Sequence, residues 1–489
     1  MIMRVNLANR EYFMLIEQGL YKKMKKLVNT NNRKYPKGRN HLNIDYLVFV
    51  IDLIEQKSIE HKDNLTKGHV RLKASYLKKY FWNYKRHIDF LESNDFISKR
   101  PYIINKNLSH GYKVIYPVNQ KLKIVKHLCS QTEFTKNLVD FENRTCEITD
   151  ETTEHLTKWL NTNQISFDYE SAMKFITNST DLSIRQKYQR MLICEKLSHG
   201  LIYYRRLAKD RRLHTTITSL PKELRPFLSF KGDKLVSLDL KSSQPYFLCG
   251  LISELINTSG EGLVFGGLKR RFREKISEVY TVTILSTPQN TVYEELSKFI
   301  DLVLTNDIYE HVGNNFSEEF LEEIQGPNGH IQDKFYVLSK GYKQRKQFKT
   351  LRDYCKKAVL EYLYCSPNSH EKRIKEIRRI FPDSVNRIVN MLKFKDEEKK
   401  FNRNDFALIL QNIEAYFIID IITKTIAEER PDLFMLTIHD SIICTVDNMK
   451  YVHDTMMDIF IGMLGIAPNI VFEPWFQVTE ESTKVQKIA

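Results

Sequence analysis

The sequence predicts an α+β protein with more than one domain. Three observations lead there. Two short apolar stretches, Leu235-Val236-Ser237-Leu238-Asp239-Leu240 and Leu436-Thr437-Ile438-His439-Asp440-Ser441-Ile442-Ile443-Cys444, read as strands that run into an acid. Segments such as 184–197 and 404–420 carry the apolar spacing of helices. Residues 41–120 read as three helices followed by a β-hairpin.

Composition narrows the setting. The chain has 489 residues, room for roughly two to four domains. Its first residues, Met1-Ile2-Met3-Arg4-Val5-Asn6, lack the apolar core of a signal peptide. No apolar run is expected to reach the roughly 18–20 residues that span a bilayer, so no membrane partner is expected. The seven cysteines (129, 146, 194, 249, 355, 365, 444) show no C-x-x-C pairing, which argues against a zinc ribbon or a disulfide framework and fits a reducing, cytoplasmic location. A formal net charge of +15 points to a polyanionic partner, with nucleic acid the first choice.

Taken in order, residues 1–40 are expected to hold a helix over 10–27 and then an exposed basic arm, 29–39. Residues 41–120 resemble a winged helix-turn-helix: helices at 44–56, 74–81 and 84–94, then strands at 96–99 and 111–116. Such a motif would present Asn83, Lys85 and Arg86 to a nucleic-acid groove, with Lys106 and His110 on the wing. Residues 121–200 read as a helical, charged connector or thumb-like region. From 201 onward the chemistry thickens. Asp210-Arg211-Arg212 and Arg225 flank a hydroxyl-rich turn, which reads equally as a backbone-holding loop or a solvated one.

Segment 341–364 reads as one helix on which Arg345, Lys349, Arg352 and Lys356 fall on a single face. Four cations on one stripe without matching acids suit a triphosphate or a phosphate backbone. The same stripe ends in Tyr364, and Pro367 stops the helix. A further helix, 404–420, carries Gln411 and Glu414 among apolar residues, as base-facing groups or as bonded core amide and acid. Asp239 and Asp440 read either as a shared metal pair or as two unrelated strand-end acids; burying either acid is costly without a cationic partner.

In this order and spacing, residues 205–446 resemble the palm and fingers of family A DNA polymerases. Asp239 with its Ser- and Gln-containing turn resembles motif A. Arg352, Lys356 and Tyr364 match the R-x3-K-x7-Y of the fingers helix, and His439-Asp440 matches motif C. Gln411 falls where the family has a glutamine on a helix, Arg212 through Arg225 resemble the segment before motif A, and Asp307 resembles the start of an Asp-Ile-His helix.

The resemblance implies an antiparallel palm sheet with mainly helical fingers over a span, 201–489, that carries an insertion within about 255–368. Asp239 and Asp440 would hold two Mg²⁺ ions, with Mn²⁺ as the alternative. Arg352 and Lys356, supported by Arg345 and Lys349, would grip a dNTP, and Lys356 would protonate the leaving pyrophosphate. Tyr364 and Gln244 would meet the nucleotide sugar and base. Arg212, Arg225, Gln411 and His439 would contact DNA.

The implied function is a DNA polymerase of a mobile element or phage. It would lack proofreading, since residues 1–200 show no Asp-x-Glu constellation on a plausible strand. An RNA polymerase, primase or template-independent transferase on the same palm is the alternative, as is a non-catalytic initiator or regulator that binds DNA. The departures are Ser441 in place of an acid after Asp440, Gln244 in place of the sugar-excluding Glu, Cys365 in place of Gly, and Tyr246 in place of Arg.

Overall fold

A computed structural model describes residues 5–6, 11–38, 40–60, 69–102, 109–116, 122–130, 132–160, 164–200, 202–206, 209–258, 268–285, 289–326, 329–337, 342–393 and 403–476. The chain divides into two compact units. The first comprises 1–205, 214–232 and 336–342; the second comprises 206–213, 233–335 and 343–489. The segments that the sequence separated at about 40 and 120 share one unit.

In the first unit the N-terminal segment departs from the expected helix. Glu11–Glu17 is a strand, and only Gln18–Lys34 is helical. The strand pairs antiparallel with Val5–Asn6 and with Ile124–Leu128. Tyr12, Met14 and Ile16 are almost wholly buried in the core of this unit. The sequence Glu-Tyr-Phe-Met-Leu-Ile-Glu is a β-favouring run, and Glu17 closes it by accepting a hydrogen bond from Leu20 N–H at 2.7 Å as the helix cap. The expected basic arm is therefore helical as far as Lys34.

Next come the helix Ile44–Glu60, the strand Val70–Arg71, the helices Ala74–Lys78 and Tyr84–Ser93, and the strands Ile97–Arg100 and Gly111–Val114. Gly111–Val114 is the middle strand, antiparallel to both others. Leu47, Ile51, Ile54, Leu77, Ile88 and Leu91 fill the core between helices and sheet. His87 fastens the Tyr84–Ser93 helix to the start of Ile44–Glu60. Its Nε2 accepts from Asn43 N–H (3.1 Å), and its Nδ1 lies 3.2 Å from the Asn83 carbonyl. Further on, a long helix, Thr132–Leu160, kinks at Thr153, and the helix Ile184–Ser198 starts with a Ser183/Gln186 capping box.

The second unit is built on an antiparallel sheet. Asp233–Leu240 pairs with Ser441–Thr445 on one side and Ile470–Pro474 on the other, and Leu436–Ile438 pairs with Ser441–Thr445 beyond. A strand with neighbours on both sides and helices on its face reads as an apolar run, as Leu-Val-Ser-Leu does. Helices Ser243–Thr258 and Met449–Leu464 meet each other and the segment Tyr416–Ile422 through Phe247, Phe460 and Phe417, which are fully buried with ring centroids 5.3–6.2 Å apart.

The helical run Asp405–Glu429 is long and apolar enough to cross a membrane by length and composition, contrary to the sequence expectation. It is 67% buried in the protein over its apolar window and belongs to the core. Its middle, Tyr416–Ile422, is π-helical. That turn carries Asp420, which accepts two hydrogen bonds from Arg206 (2.7 and 2.8 Å) and one from Arg211 (2.8 Å).

Candidate active site

The two strand-end acids meet. Asp239 sits opposite Ser441 in the ladder, so Asp440, one residue earlier, lies at the same end of the sheet. Ser441 Oγ donates to Asp239 Oδ1, and Ser237 Oγ donates to Oδ2 at 2.8 Å. His439 and Asp440 are the two turn residues of a tight hairpin between Ile438 and Ser441. His439 has φ 55°, and Ser242, beyond the Asp239 strand, has φ 57°. Non-glycine residues in this region are strained, and such strain gathers at functional sites.

Electrostatics tie the pair together. Burial raises the Asp440 pKa above the ordinary carboxylate value and the Asp239 charge pushes the same way, while hydrogen bonding from Ser243 and the charge of Arg212 pull against them. Two like charges held this close favour a cation between them. Among the described residues no group of three or more His, Cys, Asp or Glu forms a closed metal cage. Two carboxylates are hard oxygen donors, the kind that an ion such as Mg²⁺ prefers.

Behind the acids runs a buried polar chain. Tyr364 Oη donates to Gln244 Oε1 (2.6 Å), and Gln244 Nε2 donates to Glu414 Oε2 (2.8 Å). Arg212 clamps both Glu414 oxygens at 2.7 and 2.8 Å. Burial lifts the Glu414 pKa to about 7 despite Arg212, with Asp440 adding to the rise. The sequence had placed Gln244 beside Tyr364, and the hydrogen bond is there. Glu414 it had left undecided. Arg212, expected to contact DNA, is committed to that acid. Gln411, three residues before Glu414, is half-buried.

The cationic helix is shorter than expected. It spans Leu351–Tyr364, and Thr350 caps it by accepting from Asp353 N–H at 3.0 Å. Arg345 belongs to the strand Tyr342–Phe348 and Lys349 to the bend that follows, so the four-cation stripe reduces to Arg352 and Lys356. The Thr-x-x-Asp at 350–353, which marks the helix start, was the overlooked signal. Lys356 is exposed. Arg352 donates to Asp307 at 2.7 and 2.9 Å, and Lys241 lies 3.4 Å from the same carboxylate. Against its burial, the Arg352 hydrogen bond and two helix N–H groups hold Asp307 below its ordinary pKa.

All of these groups lie in the second unit. Arg225 lies in the first, buried in the short 3₁₀ helix Lys222–Phe227. Also in the first unit, Arg86 donates to Asn40 Oδ1 (2.7 Å), Asn83 precedes the helix Tyr84–Ser93, and Lys85 is exposed. Lys106 lies outside the described residues. Tyr246 is buried, and its hydroxyl donates to the Ile466 carbonyl at 3.0 Å. The six described cysteines are free thiols.

No family model and no curated protein matches the sequence. Among solved structures the chain is similar to the POL domain of Pol1 from M. smegmatis, determined with DNA primer-template and dNTP. The identity is 11%, the match covers 62% of this chain and 55% of that one, and the TM-score is 0.23. The chain thus spans about half the length of that neighbour.

Proposed function

We propose that the chain is a nucleotidyltransferase that adds deoxynucleotides to the 3′-hydroxyl of a primer strand, without proofreading. One observation carries the reading: Asp239 and Asp440 converge at one end of the sheet, beside the Tyr364–Gln244 pair. Asp239 and Asp440 would hold the divalent cations, whose bound form lowers the pKa of a coordinated hydroxyl and offsets charge on the phosphate.

The chain's own residues do the rest. In the transfer the 3′-oxygen bonds to the α-phosphorus, the bond to the bridging oxygen breaks, pyrophosphate leaves, and the hydroxyl proton passes to water. Lys356, exposed one turn beyond Arg352, reaches the leaving phosphates as a cation and proton donor. Arg352, held by Asp307, exchanges part of that pairing for the triphosphate, a charge-assisted and stronger acceptor. The Tyr364–Gln244 pair forms a firm wall at the sugar, because Glu414 can only accept and so fixes which end of the Gln244 amide faces Tyr364. In the first unit, the helix–strand–helix–helix–strand–strand order of a winged helix would deliver the substrate DNA, with Lys85 as an exposed phosphate contact.

The test is a primer-extension matrix with Mg²⁺, supplying dNTPs or rNTPs, with and without template. Template-directed extension by dNTPs is expected. Extension by rNTPs alone would move the chain to the RNA polymerase and primase class. No incorporation on any substrate would leave a DNA-binding initiator. Asp440→Ala is expected to abolish incorporation while DNA affinity in a filter-binding assay stays within about twofold; full activity would sink the two-metal assignment.

A further inference from the structure

We infer that the corner between helices Ala74–Lys78 and Tyr84–Ser93 is a binding site for single-stranded DNA, with Trp82 as a stacking platform and Lys78, Lys79 and Lys85 as phosphate contacts. Trp82 is 77% exposed; the next most exposed large apolar side chain among the described residues is Leu128, at 52%. The other two tryptophans, Trp159 and Trp475, are 8% and 1% exposed. Leaving an indole in water forgoes the burial that most tryptophans obtain, and tryptophan is enriched where a partner covers it.

The exposure follows from the way the corner is anchored. Phe81, the preceding residue, is buried and stacks on Tyr46 with ring centroids 4.4 Å apart and planes 15° apart. Tyr46 and Phe81 also meet His87 edge-on, at 5.2 and 5.5 Å. With Phe81 fixed inward, Trp82 stands on the outer side of a rigid turn. A platform on a backbone already held by its neighbour loses little backbone freedom on stacking.

Charge identifies the partner. Residues 69–88 include six cations, Arg71, Lys73, Lys78, Lys79, Lys85 and Arg86, and no acid. Two of the six are used internally: Arg71 donates to the Ser109 carbonyl (2.6 Å), and Arg86 to Asn40. The four lysines are exposed. An exposed indole among lysines matches the pairing that single strands select, bases on an aromatic face and phosphates on cations. Duplex bases are already stacked on one another and offer an indole no face along their length, so the single strand is the favoured form. The inference deepens the DNA-binding part of the proposed function and is independent of the catalytic part.

The experiment titrates the full-length protein with a fluorescein-free fifteen-base oligo(dT), without nucleotide or divalent metal, and reads tryptophan emission. Quenching of the red-shifted component is expected, since only Trp82 contacts solvent broadly. Trp82→Ala is expected to remove that quenching and weaken binding about tenfold, the effect of losing one stacked base. Trp82→Phe should recover part of the affinity, because a smaller ring still stacks. The charge-reversed pair Lys78→Glu and Lys79→Glu should lower the salt slope of log K by about 0.7 for each lost phosphate contact.

Unchanged affinity in Trp82→Ala would overturn the inference. So would equal Trp82-dependent quenching by blunt duplex, or by dextran sulfate, which has charge and no bases. Trp82-dependent binding in a protein that never incorporates nucleotide would defeat the catalytic reading alone.

Discussion

Gln244 shows how much one side chain can decide. It stands five positions after Asp239, with its carbonyl toward Tyr364 and its amide nitrogen toward Glu414. On the proposed reading, replacing it with alanine opens the wall beside the sugar. Gln244→Ala is expected to lower the preference for dNTP over rNTP by about tenfold, on the order of 1.4 kcal/mol, in single-nucleotide kinetics. An unchanged ratio would place the sugar contact elsewhere. The sequence was informative about this residue because Asp239 and Gln244 share one turn. It was silent on the Arg212–Glu414 clamp, whose partners lie 202 residues apart. Nothing in the local pattern at either end says that a buried acid awaits a distant guanidinium.

At the level of elements, His87 makes the first unit sensitive to acid. His87 is buried as the neutral ring, and burial lowers its pKa to about 4 from 6.5. Because the folded value is depressed, the stabilisation is present above pH 6.5 and is lost as pH falls towards 4. A shift of that size corresponds to about 3 kcal/mol, and protonation also ends the acceptance from Asn43 N–H. Amide exchange of the Tyr84–Ser93 helix at pH 7 and pH 4.5 is expected to show the loss, and His87→Gln should flatten it. Equal protection at the two pH values would refute this account.

Element types were legible wherever period and punctuation agreed. The order of helices and strands over residues 44–114 follows from apolar spacing, and the His439 hairpin from two flanking apolar runs. The short strands Val70–Arg71, Ile124–Leu128 and Ile165–Phe167 were not read, and two further elements were read as helix. Glu11–Glu17 and Tyr342–Phe348 both sit directly before a helix, and their side chains also satisfy part of a helical period. Strand pairing decided them: with the remote Ile124–Leu128 for Glu11–Glu17, and with the nearby Ile331–Val337 for Tyr342–Phe348.

For the molecule as a whole, the cation is expected to act on stability as well as on chemistry. A ligand that binds only the folded protein stabilises it by mass action, about 1.4 kcal/mol at tenfold over Kd. Mg²⁺ should therefore raise the melting temperature of the second unit by a few degrees, and EDTA should reverse the rise. Asp239→Asn with Asp440→Asn should abolish the shift. A shift that survives in that variant would mean that the ion binds elsewhere.

The Asp239 strand also sets a timetable. Residues 236–239 pair with 441–444 on one side and 471–474 on the other, so that part of the hydrogen-bond ladder stays unsatisfied until roughly 200 more residues have been made. At about 5–20 residues per second, that interval is on the order of ten seconds or more on the ribosome. During it the first apolar strand must wait in a provisional arrangement, exposed to wrong partners. A substitution of the buried Leu235, Val236 or Leu238 would therefore act during biogenesis as well as on the finished stability.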